Sequence, residues 1–94
     1  MSAFGYALYG YALPMINAAQ PGQTVTFDFG LWNSFPKGIM EKIAAKSAQN
    51  VTFVFKYEYN HEKYAVKIPA GTKVDLNHEW YGPAKMMELY GMYK

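Results

Sequence analysis

The chain predicts a small α+β domain built on a mixed sheet in the order strand, helix, strand, strand, with one main helix across one face and short helical segments at both ends. Three stretches carry this expectation. Residues 51–59 (VTFVFKYEY) place Val51, Phe53, Phe55, Tyr57 and Tyr59 on one side of an extended chain, while Thr52, Lys56 and Glu58 share the other with Val54 alone. Residues 24–29 alternate strictly, Val25, Phe27 and Phe29 against Thr24, Thr26 and Asp28. Between the two strands Ile39, Met40, Ile43 and Ala44 recur at helical spacing, with Lys37, Glu41, Lys42, Ala45 and Lys46 on the opposite side. With 94 residues there is room for one core, so the whole of 1–94 is taken as a single domain.

The elements follow in order. Phe4-Gly5-Tyr6-Ala7-Leu8 is repeated almost unchanged as Tyr9-Gly10-Tyr11-Ala12-Leu13. A period of five fits neither helix nor strand, and the glycines point to close packing or irregular backbone. Residues 13–19 read as a short helical turn with Pro14 in its first turn. Gln20-Pro21-Gly22-Gln23 has the composition of a type II turn, Pro fixing φ at the second position and Gly supplying positive φ at the third. After the first strand, Ser34 is expected to cap a helix over 36–47 with Pro36 inside its first turn. The strand at 51–59 then turns through Asn60-His61-Glu62, and the alternation resumes with Tyr64, Val66 and Ile68 against Lys63, Ala65 and Lys67. A looser segment over 73–79 leads to Trp80-Tyr81-Gly82-Pro83, where Pro83 opens a last helix through Leu89 or Tyr90 and Gly91 closes it. Met86, Leu89 and Tyr90 are its expected apolar side. A helix joining the first two strands makes them parallel by a right-handed crossover, and the short turn makes the second pair antiparallel.

Charge is distributed unevenly. Asp28 is the one charged residue before Lys37, and all the others lie from there onward. The nine basic residues are all Lys, interleaved with Glu41, Glu58, Glu62 and Glu79, and the chain has no Arg for bidentate phosphate contacts or base stacking. A net charge of +2 spread in this way argues against nucleic acid as a partner. The absence of cysteine excludes disulfides and thiolate metal sites. The uncharged run over 3–19 follows no basic residue, is broken by Gly5, Gly10, Pro14 and Asn17, and is short for a bilayer span, so neither a signal peptide nor membrane insertion is expected.

The inventory for chemistry is thin. His61 has Glu62 beside it and His78 has Asp75 and Glu79, but neither pair shows helical ligand spacing, and no metal and no cofactor are expected. Pro69-Ala70-Gly71-Thr72-Lys73 lacks the spacing of a phosphate loop. Ser2, Ser34 and Ser47 stand in no nucleophile elbow, and Asp28 alternates with threonines on the wet side of its strand. No catalytic residue is assigned, and the chain is read as a non-enzyme. Tyr57, Tyr59 and Tyr64 are expected in the core.

Ala12-Leu13-Pro14-Met15-Ile16-Asn17-Ala18-Ala19, the strand over 24–29, the helix end Ile43-Ala44-Ala45-Lys46, the hairpin, Ile68-Pro69-Ala70-Gly71-Thr72, and Trp80-Tyr81-Gly82-Pro83 through Leu89-Tyr90-Gly91 together span nearly the whole chain. In these packing and turn motifs it resembles an uncharacterised module found near the C-termini of large secreted or surface-anchored proteins of gut Firmicutes, often behind leucine-rich or Ig-like repeats. The resemblance implies an extracellular display or adhesion module, and it supplies no functional residue.

Two functions compete. The first is a non-enzymatic protein-interaction or display module of a bacterial surface or secreted protein, which would place the chain outside the cell. The second is a small stand-alone phage- or mobile-element-encoded protein that binds and inhibits a host protein, which would place it in the cytoplasm; the start at Met1 with no signal sequence suits this reading. Either takes a protein, self or other, as partner, with carbohydrate as a second class. The strand rings and the helix stripe fill a core of this size, leaving Phe4, Tyr6, Tyr9, Tyr11, Trp32, Trp80 and Tyr81 as the expected interaction surface. The competing role for the uncharged first third is a lid folded over the sheet.

Overall fold

A computed structural model describes residues 3–28 and 34–92, and the side chains of all of these except residues 3–9 and 59. The order is α1 (Ala3–Ala18), β1 (Thr24–Asp28), β2 (Phe35–Pro36), α2 (Lys37–Ser47), β3 (Thr52–Tyr59), β4 (Glu62–Ile68), β5 (Trp80–Tyr81) and α3 (Pro83–Tyr90). The fold is α+β, with β3 at the centre of a three-stranded sheet in the order β1-β3-β4. It pairs parallel with β1 and antiparallel with β4, as the connections between them require.

The register puts the large apolar residues of all three strands on one face. Val25 lies opposite Phe53 and Phe27 opposite Phe55, and across the other seam Ile68, Val66 and Tyr64 face Phe53, Phe55 and Tyr57. Phe27, Phe35, Phe53 and Phe55 are all fully buried. The Phe35 ring meets Phe55 edge-on at 5.0 Å and lies 5.7 Å from Phe27. Ile39, Met40 and Ile43 of α2 complete this layer, so the helical stripe read from the sequence is the buried one. The other sheet face carries Thr24, Asp28, Lys56, Glu58, Lys63 and Lys67, mostly exposed.

α1 is longer than the turn expected over 13–19. Ala12, Ile16 and Ala19, spaced four and three apart, are buried, while Leu13 and Met15 pack partly against the same cluster. This helical period overlaps the end of the five-residue repeat, which conceals it. Pro14 sits inside the helix, not in its first turn. Lacking an N–H, it leaves the carbonyl of Gly10 without its usual helical partner, and Gly10 is exposed, so water can take that role. At the far end Lys46 Nζ donates to the carbonyls of Ala19 at 3.0 Å and Asn17 at 3.4 Å, placing a cation where the helix dipole favours one.

The start of α2 also departs from expectation. Ser34 does not cap it: Pro36 is the cap residue, extended at φ −74° and ψ 156°, and no side chain bonds the first turn. The cause is β2, a two-residue strand paired with β5, which carries the chain straight into the helix. The N–H of Lys37 is taken instead by the carbonyl of Glu79 at 2.9 Å. Sequence rules for caps see only neighbours, and this partner lies 42 residues away.

The turn into β1 and the β3–β4 hairpin both match their chemistry. Gln20 to Gln23 closes with a 3.0 Å bond and Gly22 at φ +89°. The hairpin needs only Asn60 and His61, at φ 54° and 65°, because Glu62 already opens β4. Two consecutive positive φ values make this the type I′ turn that suits twisted strands.

Candidate functional site

The segment over 73–83, read from sequence as loose, is held by tyrosines from two elements. β5 alternates: Tyr81 points into the core and is fully buried, while Trp80 points out and is 51% exposed. Tyr81 Oη lies 2.7 Å from the Asp75 carbonyl and 2.9 Å from Asp75 Oδ2, so its single proton serves one or the other acceptor. It accepts in turn from the N–H of His78 at 3.2 Å. Tyr90 of α3 accepts from the N–H of Asp75 at 2.9 Å, and Asn77 Nδ2 donates to Asp75 Oδ1 at 2.9 Å. The His78 ring stands edge-on to Tyr81, with Nε2 3.6 Å from Asp75 Oδ2.

These contacts set the protonation states. Partial burial works to raise the Asp75 pKa, but the hydrogen bonds from Tyr81 and Asn77 and the adjacent His78 outweigh it and hold the carboxyl below its usual range. Desolvation pushes the phenols of Tyr81 and Tyr90 up, as it does that of the buried Tyr57. Tyr81 therefore stays a donor to an ionised Asp75 across the neutral range.

Among the described residues no hydroxyl is hydrogen-bonded to the His78 ring, and no group of three His, Cys, Asp or Glu side chains is placed to hold a metal ion. A hollow of about 440 Å³ lies over Lys73, Val74, Asp75, Leu76 and Asn77, all from one loop. A substrate site usually converges groups from several elements, whereas the described lining here comes from one. His61 occupies the β3–β4 turn, where its positive φ explains its place.

The residues expected at the interaction surface divide between surface and core. Tyr81 leaves it, because its ring fills the core and its hydroxyl organises the loop. Trp80 stays, and Tyr11 is 45% exposed on α1. Phe4, Tyr6 and Tyr9 belong to α1, but their side chains lie outside the described residues, as does Trp32 entirely. Two further large apolar residues, both in the C-terminal segment, are exposed: Leu89 at 37% and Met92 at 55%. Leu89 was expected to face inward. α3 instead turns Met86 fully into the core and packs Met87 and Tyr90 partly against it, which rotates Leu89 out. The 86 and 90 spacing is the signal that fixes that face.

No helix among the described residues is long and apolar enough to cross a membrane. No protein-family model, curated protein or solved structure matches the chain.

Proposed function

We propose that this chain is a non-enzymatic protein-interaction module, of the kind that secreted or surface-borne bacterial proteins use for display. The observation that carries the reading is Trp80. An indole half exposed at a fixed position is costly to leave in water, and Trp is the residue most often found as the anchor of a protein interface. Its base is rigid, since Tyr81 beside it is buried and hydrogen-bonded and Pro36 opposite it is buried. Leu89 and Met92 add apolar surface from the same C-terminal segment, and the sparse charge of the chain suits contact with protein more than with phosphate.

The test is binding by Trp80→Ala and Leu89→Ser variants against the proteins of the cell surface on which the parent is displayed. Both variants should keep the thermal midpoint of the parent within a few degrees and lose binding at least about tenfold, as removal of an interface anchor does. Binding unchanged in both variants, or restricted to free oligosaccharide, would contradict the proposal.

A further inference from the structure

The two edges of the sheet are not alike, and the difference singles out β1. Among the described residues β1 pairs only with β3. The N–H of Thr52 bonds the carbonyl of Gln23 at 3.1 Å, which fixes the phase of the parallel ladder. Val25 and Phe27 then direct their N–H and C=O groups at β3, and those of Thr24, Thr26 and Asp28 point away from the sheet. Such an edge is usually blunted by lysine, proline or a bulge. β1 has none of these, being Thr-Val-Thr-Phe-Asp in regular pairing.

Above this edge lies α1, which packs on β1 and α2. It carries no charged residue over its 16 positions and is apolar around most of its circumference. Among the described side chains of α1, Ala12 and Ile16 with Leu13 and Met15 pack into the core, while Tyr11, Pro14 and Ala18 are exposed. A helix this apolar normally has a partner on its outer side as well as its inner one.

We propose that β1 is a dimer interface, pairing antiparallel with β1 of a second copy about a two-fold axis through Thr26. In this register Thr26 meets Thr26 of the other copy and Thr24 meets Asp28, each pair exchanging N–H···O bonds. The lone carboxylate faces a hydroxyl and stays far from its own symmetry mate. The two sheets join into one of six strands, and α1 comes to lie beside α1 of the second copy, uncharged helix against uncharged helix. This favours a second copy over an extended peptide. A five-residue strand by itself is small beside the roughly 1,200–2,000 Å² that stable interfaces bury, and it would leave α1 uncovered. The pairing does not involve Trp80.

Sedimentation equilibrium of the full chain from low-micromolar to millimolar concentration tests this. The parent should form a dimer that dissociates on dilution. Thr26→Lys sets like charges opposite each other at the axis, and Thr26→Pro removes an outward N–H, which an edge strand tolerates. Both should remain monomeric at concentrations where the parent is dimeric, with the far-ultraviolet spectrum unchanged. Thr24→Lys creates two Lys–Asp cross-strand pairs and should tighten the dimer about 2- to 30-fold. A chain monomeric throughout, a dimer that survives Thr26→Lys, or one dissolved by Trp80→Ala in place of Thr26→Lys would each overturn the proposal.

Discussion

The β1 and β4 sides of the sheet share one core and differ in nearly everything outside it. β4 holds Glu62, Lys63 and Lys67 within seven residues and is followed by Pro69, with α3 packed against it. β1 holds one carboxylate and two threonines, and the helix packed against it is uncharged. The charge gradient along the chain has become a polarity in space, because the uncharged α1 packs on β1 while α3 packs on β4. Lysine on an outer strand is what blunts it against pairing with another chain, and β4 carries Lys63 and Lys67 where β1 carries none.

Both sides hang on a single core, so the largest expected effect lies there. Phe55 touches Phe27 of β1 and Phe35 ahead of α2, and its Cα partner on β4 is Val66. Phe55→Ala should cost about 3–5 kcal/mol in urea titration, a large fraction of what a domain this size has. A loss below about 1 kcal/mol would mean that the two sides are stabilised separately.

Next comes the loop on the β4 side. Tyr81→Phe leaves Asp75 and the N–H of His78 without their shared hydroxyl, and it should cost about 1–2 kcal/mol at neutral pH. The pH dependence has a definite sign. A carboxyl whose pKa is lower folded than unfolded contributes fully above the ordinary value of about 3.9, and the contribution is lost as pH falls through the lowered folded value. Phenols raised by burial act oppositely: Tyr57, Tyr81 and Tyr90 contribute fully below about pH 10 and lose that contribution as pH rises. Thermal midpoints across pH should fall at both ends for the parent, and the acid limb should flatten in Tyr81→Phe. An acid limb identical in the two would remove Asp75 from the account.

On the β1 side the corresponding fastening is weaker. Lys46→Met removes the ammonium from the C-terminal carbonyls of α1 and should cost about 0.5–1.5 kcal/mol, part of it screened by salt. Equal losses at low and high ionic strength would show that the stem of Lys46 packs and its charge does not matter.

What could be read in advance follows the range of each interaction. The central strand, its partners and the stripe of α2 were legible, since period-two and period-3.6 patterns report burial directly. Gly22 and Gly91 were legible too, because positive φ leaves few residues to choose from. The helical course of α1 was hidden by a repeat whose period belongs to no element. The real cap of α2 was hidden because its donor, Lys37 N–H, finds Glu79 only after β2 and β5 have met. Tyr81 was misplaced at the surface for a related reason: a Trp-Tyr pair beside Gly and Pro looks exposed until the two-residue strand assigns one ring to each side. Of the candidate surface, Trp80 and Tyr11 could be found from sequence, whereas Leu89 required the rotation of α3 and Met92 its exposed place just beyond that helix.

The most direct test of the polarity between the two edges is amide hydrogen exchange, resolved by residue and measured at two protein concentrations. The amides of β3, with those of Val25 and Phe27 that bond to it, should be the slowest in the chain at either concentration. Those of Thr24, Thr26 and Asp28 should exchange quickly in dilute solution and become protected in concentrated solution, while β4 shows no such change. Protection of Thr26 that is the same at both concentrations, or a concentration dependence that appears on β4 instead, would contradict the account.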